Sequence, residues 1–404
     1  MFALLFLAGL FNQNATANPQ SAGLEALDHH DYEQAEQIFS KLAAANPNDY
    51  SDLFNLALAE SGLKKDQQAS EHYRQVLTLK PGLYEAELNL GILDIRNQRA
   101  TEAIPLLQGA AKLRPGLAQP QRYLGDALLA TGDTAAAAEA FRAALRRDPK
   151  QAAAELGLGQ SLAKQGKLDE ALAHYQQAAS LDPRLRSYLL EIAVTFANAN
   201  RAQDAIALLA QFPDDPGARE ELGRLYLAGN QPAEAVKQFE SAVAMAPTPA
   251  NRLALATAYL RNNQADLARP ILEQELAQHP SDYDLRMAVG RIYRDRHDYT
   301  QASAQFVAAA QIKPDSVEAW NEAASVFVMA EQYPQALAAL DRVHNLHAEN
   351  AGDFYYRAIV YDKLHQVKPA LENYQKFLAM SGGKFPNQEF QARERSKLLE
   401  RESR

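Results

Sequence analysis

Residues 152–183 read AAAELGLGQSLAKQGKLDEALAHYQQAASLDP, and this stretch decides the fold. Counting from its first residue, Gly159 is at position eight, Ala171 at position twenty and Tyr175 at position twenty-four. Apolar residues spaced three and four apart along both halves indicate one buried face of an α-helix. Gly166 stands between the halves, and glycine commonly ends a helix in a left-handed conformation. The stretch therefore predicts two short helices joined by a tight turn.

The same pattern recurs along the whole chain. Prolines close successive units, and five of them are each 34 residues apart: Pro47, Pro81, Pro115, Pro149 and Pro183. Alanine fills position twenty of every unit: Ala35, Ala69, Ala103, Ala137, Ala171, Ala205, Ala235, Ala268, Ala302, Ala336 and Ala370. A fixed period of this length is typical of repeat proteins, in which each unit buries its apolar face against its neighbours. We expect small residues at position twenty because two helices cross closely there.

With this period and these residues, the sequence resembles the tetratricopeptide-repeat family over nearly all of its length. The resemblance implies an all-α fold, a right-handed α-solenoid of about 11 helix-turn-helix repeats with a C-terminal capping helix. We expect a signal peptide or N-terminal anchor at 1–17, the solenoid at 18–384 and the cap at 385–404. The predicted repeats are 16–49, 50–83, 84–117, 118–151, 152–185, 186–215, 216–248, 249–282, 283–316, 317–350 and 351–384.

The sixth repeat departs from the pattern. It is four residues short and closes with the sequence FPDDPG at 212–217. Two prolines so close together cannot both lie inside a helix, since proline removes a backbone donor and clashes with the preceding turn. We therefore expect a kink near 211–217.

The N-terminal residues resemble an export signal. An apolar run covers 2–11 and is too short to span a bilayer, which takes ~20 apolar residues. Ala-Thr-Ala at 15–17 forms a small-x-small cleavage site that would place the mature start at Asn18. No basic residue precedes the run, so an uncleaved membrane anchor and a cytosolic protein stay open as alternatives. The favoured location is periplasmic or secreted, with membrane contact only through this segment if it is uncleaved.

Composition excludes several function classes. Lys and Arg number 41 against 50 Asp and Glu, a formal net charge of −9. A negative chain is a poor main partner for nucleic acid or an anionic membrane. The absence of cysteine removes disulfides, thiolate zinc sites, iron–sulfur clusters and cysteine nucleophiles.

The sequence offers little for catalysis. It contains no Gly-rich phosphate loop, no HExxH and no GxSxG motif. His344 and His347 are three residues apart, but a metal site needs a third ligand. His29 and His30 fall at a predicted inter-helix turn, which favours a surface turn. We predict no enzyme activity, no cofactor and no metal.

The family resemblance instead implies a concave groove that binds a partner. In the family, this groove is lined by positions two, five, six, nine, twelve and thirteen of each first helix. Four arginines occupy such positions in repeats seven to nine: Arg224, Arg261, Arg291 and Arg294. Guanidinium groups bind carboxylates in a bidentate manner, so these residues are candidate contacts to a partner. The alternative is that they form ion pairs with neighbouring acids of the same chain: Glu220, Glu221 and Asp295.

A second candidate lies in repeat eleven, whose first helix is rich in aromatic residues. Phe354 and Tyr361 occupy packing positions, which leaves Tyr355 and Tyr356 as candidate partner contacts. A carboxylate clamp known in the family needs Lys and Asn at groove positions five and nine. This sequence lacks that combination, although Asn55 and Asn89 occupy position six.

Together these features predict a non-enzymatic scaffold that binds a partner protein or peptide in its groove. The family resemblance implies a role in a bacterial envelope assembly, secretion or export system. Two alternatives remain: a substrate-recognition subunit of a separate enzyme, as in glycosyltransferase-like systems, and a polysaccharide-binding scaffold.

Overall fold

The structure, a computed structural model, describes residues 18–402. Within that range it is built of α-helices with one 3₁₀ turn, Pro183–Leu185, and it has no strand. The chain divides into two compact units between Gln211 and Phe212. The described range contains no helix that combines the length and the apolar character needed to cross a bilayer.

The first unit holds six helix pairs, one for each of the first six predicted repeats. Its helices are α1 (Pro19–Asp28), α2 (Tyr32–Ala45), α3 (Tyr50–Gly62), α4 (Asp66–Leu79), α5 (Tyr84–Arg96), α6 (Ala100–Leu113), α7 (Gln119–Thr131), α8 (Thr134–Leu145), α9 (Ala152–Lys164), α10 (Leu168–Leu181), α11 (Tyr188–Asn198) and α12 (Ala202–Leu209). In most of these pairs each helix is 10 to 14 residues long, whereas α12 in the short sixth repeat has only 8.

The second unit holds five pairs and a final single helix. Its helices are α13 (Pro216–Ala228), α14 (Pro232–Met245), α15 (Pro249–Arg261), α16 (Ala265–Gln278), α17 (Tyr283–Asp295), α18 (Tyr299–Ile312), α19 (Val317–Met329), α20 (Tyr333–Asn345), α21 (Ala351–Lys363), α22 (Val367–Ser381) and α23 (Pro386–Glu402). Within each unit, helices that follow one another in the chain pack together.

Each helix pair turns at one left-handed residue. The residue at position fifteen has a positive φ in all eleven repeats: His30, Lys64, Gln98, Gly132, Gly166, Asn200, Asn230, Asn263, His297, Glu331 and His365. Gly, Asn and His at this position indicated the turn from sequence, since they tolerate the conformation best. Lys64, Gln98 and Glu331 adopt it as well, because packing of the two helices requires the same turn whatever the side chain.

Close helix crossings hold each pair together. The alanine at position twenty is fully buried in every repeat, as its small size predicted. The glycine at position eight faces the large side chain at position twenty-four. A Cβ atom added to Gly125 would lie 2.7 Å from the Phe141 ring, and one added to Gly290 would lie 2.7 Å from the Phe306 ring. These contacts leave no room for a larger residue.

In repeats seven to nine, the arginine at position four ties each repeat to the proline that closes the one before. Arg219 Nε donates to the carbonyl of Pro213 at 2.9 Å, and Arg286 Nε donates to that of Pro280 at 2.8 Å. Arg252 also reaches Pro247, and its Nε donates to the fully buried Glu275 at 2.5 Å. These bonds satisfy carbonyl groups left free at the repeat boundaries.

The last helix covers the end of the second unit. Ala392 and Leu399 of α23 join an apolar cluster with Ala370, Tyr374 and Phe377. The all-α fold of stacked helix pairs with a final capping helix is therefore confirmed. The kink near 211–217 stays a prediction, although residues 212–215 are not helical and α13 begins at Pro216. The predicted signal peptide at 1–17 lies outside the described residues.

Candidate partner-binding groove

The first helix of each pair carries the predicted groove positions. In the second unit these helices are α13, α15, α17, α19 and α21. Arg224 lies on α13, Arg261 ends α15, and Arg291 and Arg294 lie on α17. Their side chains remain accessible, with exposed fractions of 58% for Arg224, 40% for Arg291 and 33% for Arg294.

Arg291 and Arg294 are joined to the next repeat by a carboxylate that they share. Arg291 Nε lies 3.2 Å from Glu322 Oε1, and Arg294 Nη1 lies 2.5 Å from Glu322 Oε2. Arg291 also pairs with Glu318 at 2.5 Å. Burial lowers the pKa of Arg294, but hydrogen bonds to Asp295 and Glu322 outweigh it and raise that pKa overall. The pairs form a charged network between α17 and α19.

The other two arginines stand apart from this network. Arg224 binds acids of its own helix, with Nη2 at 2.5 Å from Glu220 and Nη1 at 3.1 Å from Glu221. Arg261 is exposed, and its side chain has no hydrogen bond or ion pair with any residue in 18–402. The four arginines thus present three situations: two tethered between repeats, one tethered within a helix, and one free to bind.

The two candidate tyrosines are each half-buried. The Tyr355 hydroxyl donates to Gln391 Oε1 of the capping helix at 2.7 Å, and its ring centre lies 4.8 Å from that of Phe377. Tyr356 packs on the cluster around α19, and burial together with the Glu322 carboxylate raises its pKa. Tyr356 therefore adjoins the charged network, whereas Tyr355 is engaged by the capping helix.

Sequence reasoning missed Glu318 and Glu322, the acids that hold Arg291 and Arg294. It considered only acids close in the chain, such as Glu220 and Asp295. The signal was available, because Glu318 and Glu322 occupy groove positions two and six of the next repeat.

Repeats two and three of the first unit have a different groove. Positions five and nine of repeats two and three carry Phe54, Leu58, Leu88 and Ile92, which are at most 2% exposed. Asn89 at position six is fully buried, and its Nδ2 donates to the Tyr73 hydroxyl at 3.1 Å. Positions five and nine of these two repeats are therefore apolar and buried.

The histidines take part in turns and ion pairs. His344 Nδ1 lies 2.7 Å from Glu349 Oε2, and His347 is a left-handed turn residue. Across residues 18–402, no group of three or more His, Cys, Asp or Glu side chains is placed to hold a metal ion.

Paired helices with this turn, this packing and an accessible first-helix face define a helical-repeat scaffold. The sequence profile of the tetratricopeptide repeat matches residues 21–83, 123–186, 189–250, 253–302 and 290–351, which is more than half of the chain. The chain belongs to the tetratricopeptide-repeat family, and it is a scaffold for protein interactions. No curated protein matches it.

Solved structures with similarity to the chain include several MamA proteins. MamA 41-end from Desulfovibrio magneticus RS-1 is 21% identical over 41% of this chain and 94% of its own, with a TM-score of 0.39. MamA AMB-1 is 24% identical over 41% of this chain and 98% of its own, also with a TM-score of 0.39. At these values the likeness adds nothing to the family assignment.

Proposed function

We propose that this protein is a non-enzymatic scaffold of a bacterial envelope assembly, secretion or export system. It binds a partner through the first helices of its second unit. The observation that carries the proposal is the accessible charged face of α13, α15, α17 and α19, where arginines occupy groove positions. Charged groups on an accessible face give a scaffold its choice of partner and register.

A carboxylate of a partner protein suits the Arg261 position of this face best. Arg261 can bind a carboxylate without giving up any contact, because it has no partner in the described residues. Arg224 and Arg291 can exchange exposed intramolecular pairs for the partner's carboxylates. Exposed ion pairs contribute only ~0–1 kcal/mol each, so this exchange costs little.

Affinity capture from an envelope extract tests the groove. The baits are the native chain and a variant with all four candidate arginines, Arg224, Arg261, Arg291 and Arg294, changed to Glu. A matched control changes four cations on second helices of the same unit to Glu: Lys237, Arg342, Lys368 and Lys376. Both variants alter the net charge equally, and circular dichroism must show unchanged helicity.

We expect the partner to be captured by the native chain and the control and lost by the groove variant. Equal capture by all three baits would place binding elsewhere and would return attention to Tyr355 and Tyr356. Loss from both variants would mean that net charge, and not the groove, attracts the partner.

Export is a separate part of the proposal, and it is supported only by the sequence of residues 1–17. Cell fractionation and intact-mass measurement test it. We expect envelope material whose mature chain starts at Asn18. A cytosolic, full-length chain would contradict export but leave the groove proposal standing. Turnover by the purified protein would contradict the non-enzymatic assignment, and glycan binding by titration would favour the polysaccharide alternative.

A further inference from the structure

The loops that join successive repeats are basic in part of the first unit. The loops that close repeats two, three and four, which we call the basic edge, are residues 78–85, 112–119 and 146–153. They hold six Lys and Arg against two acids, Glu85 and Asp148. The equivalent loops of the second unit hold one Lys and five acids. These loops are 244–250, 277–284, 311–318 and 345–352. The basic edge is therefore positive, although the whole chain has a net charge of −9.

Contacts between the three loops place them side by side. A Cβ atom added to Gly82 of the first loop would lie 4.0 Å from Leu113 Cδ2 of the second. Arg147 of the third loop donates through Nε to the carbonyl of Pro115 in the second, at 2.5 Å. The basic edge is thus one continuous surface.

Three cations of the basic edge have no partner within the protein. Lys112, Arg146 and Lys150 are exposed, and their side chains have no hydrogen bond or ion pair with any residue in 18–402. The other three cations are exposed as well. Of these, Arg114 lies 3.5 Å from Glu85, whereas Arg147 donates to backbone carbonyls. The protein therefore leaves most of this positive charge for a ligand.

Exposed leucines lie among these cations. Leu79, Leu113 and Leu117 are 39%, 44% and 42% exposed. Exposed apolar residues occur at position thirty of the second unit too, at Met245 and Ile312, so leucines alone do not mark a site. The basic edge is distinguished by the combination of exposed leucine with unpaired positive charge.

An anionic lipid bilayer matches this combination. Its headgroups attract Lys and Arg, and the boundary between headgroups and acyl chains takes up apolar side chains. A nucleic acid would use the cations but not the leucines. Bases also stack on exposed aromatic rings, and Tyr84, the one aromatic residue of the basic edge, is buried. The chemistry of the edge therefore favours lipid.

The negative net charge of the chain does not oppose this contact. Salt screens exposed charges over ~8 Å at physiological ionic strength. Acidic groups farther than this from the edge act little on a surface that the edge touches. The local charge of the edge, and not the sum over the chain, therefore governs its attraction to lipid.

We infer that the basic edge docks the first unit on a bilayer that contains anionic phospholipid. The three leucines enter the headgroup region, and the cations lie against the phosphates. This contact uses none of residues 1–17, so a mature chain that starts at Asn18 keeps it. It also uses different residues from the charged face proposed to bind a partner protein.

Co-sedimentation with vesicles tests the docking. The vesicles are phosphatidylcholine with and without phosphatidylglycerol, and the proteins are the full native chain and two variants of it. The edge variant changes the unpaired cations: Lys112→Glu, Arg146→Glu and Lys150→Glu. The control variant changes three exposed cations of the same unit outside the edge: Lys41→Glu, Lys64→Glu and Lys167→Glu. Both variants have the same net charge and the same residues 1–17, and circular dichroism must show unchanged helicity.

We expect the edge variant to bind the anionic vesicles at least about tenfold more weakly than the native chain and the control, because it loses attraction to the headgroups. All three proteins should behave alike on phosphatidylcholine alone. Equal binding by all three to anionic vesicles, or an equal loss in both variants, would overturn the inference. Binding of the native chain to a DNA duplex but not to anionic vesicles would also overturn it and would assign the edge to nucleic acid.

A fluorescent probe gives a second readout that leaves the charges in place. Because the chain has no cysteine, Leu117→Cys carries a single environment-sensitive dye. Met245→Cys, at a site that is 41% exposed, is the matched control. Anionic vesicles should raise the emission of the dye at position 117 about twofold and leave that at position 245 unchanged, because only the first enters an apolar zone. An equal rise at both sites, or no rise at position 117, would contradict the inference.

Discussion

Position nine of the first helix has opposite surroundings in repeats two and three of the first unit and in repeats seven and nine of the second. In repeats two and three it is Leu58 and Ile92, which are 2% and 0% exposed. In repeats seven and nine it is Arg224 and Arg291, whose side chains are 58% and 40% exposed. The same backbone position is thus apolar and buried in one pair of repeats and charged and accessible in the other.

The comparison separates two kinds of sequence position. Position twenty is a fully buried alanine in both units, and position eight packs against position twenty-four in both. These positions make the helix pair and leave little choice of residue. Groove positions do not form the contacts between the two helices of a pair, so their side chains can match the chemistry of a bound partner.

The largest loss of stability should come from breaking the buried ion pair between Arg252 and Glu275. Arg252→Ala leaves the fully buried Glu275 without its cation, which should cost ~3–5 kcal/mol of unfolding free energy. Arg224→Ala removes an exposed pair and should cost under about 1 kcal/mol. Urea unfolding followed by circular dichroism measures both. Similar losses would mean that burial does not distinguish the two pairs.

Equivalent groove positions should respond differently in the two units. Ile92→Ala removes a fully buried side chain and should cost ~2–5 kcal/mol. Thr257→Ala, at position nine on α15, changes an exposed residue and should stay within about 0.5 kcal/mol. Denaturant midpoints of the two variants provide the test, and equal shifts would remove the contrast between the grooves.

Packing positions, by contrast, should respond alike. Ala171→Leu and Ala302→Leu each overpack a helix crossing and should each cost ~1–3 kcal/mol. Ala153→Leu, at an exposed site on α9, should cost little and controls for the added side chain. Thermal unfolding gives the comparison. A harmless Ala302→Leu would show that the two units do not share one packing frame.

The smallest effect is a pH dependence in the first unit. A hydrogen bond between His72 Nδ1 and Glu60 Oε2 at 2.7 Å raises the pKa of His72 above 6.5, although burial opposes it. A raised pKa in the folded state stabilises the protein at low pH, and this contribution is lost as pH rises through that pKa. We expect a loss under about 1 kcal/mol above pH ~6.5 that His72→Gln removes. An unchanged pH profile in His72→Gln would refute the assignment.

Sequence predicted the parts of the fold that obey the repeat. Only a small residue fits the close helix crossing at position twenty, and only a left-handed residue makes the turn at position fifteen. The spacing of these positions was therefore enough to predict both features. It did not predict that Lys64 and Glu331 would adopt the left-handed turn, because that conformation is imposed by the packing of two helices.

The candidate site was less predictable because its contacts cross repeats. The Arg294–Glu322 pair joins residues 28 apart in sequence, and the Tyr355–Gln391 bond joins residues 36 apart. Neither pair follows from local spacing. The Arg294–Glu322 pair could have been suggested from the fact that both acids of α19 occupy groove positions. The Tyr355–Gln391 bond depends on where the capping helix lies.

Arg261 gives the most direct test of the central claim that the accessible charged face of the second unit binds the partner. The measurement is the dissociation constant of the captured partner for the native chain, for Arg261→Glu and for Lys237→Glu as the matched charge control. We predict at least about tenfold weaker binding for Arg261→Glu, equivalent to ~1.4 kcal/mol, and no change for Lys237→Glu. Equal dissociation constants for all three proteins would contradict the account.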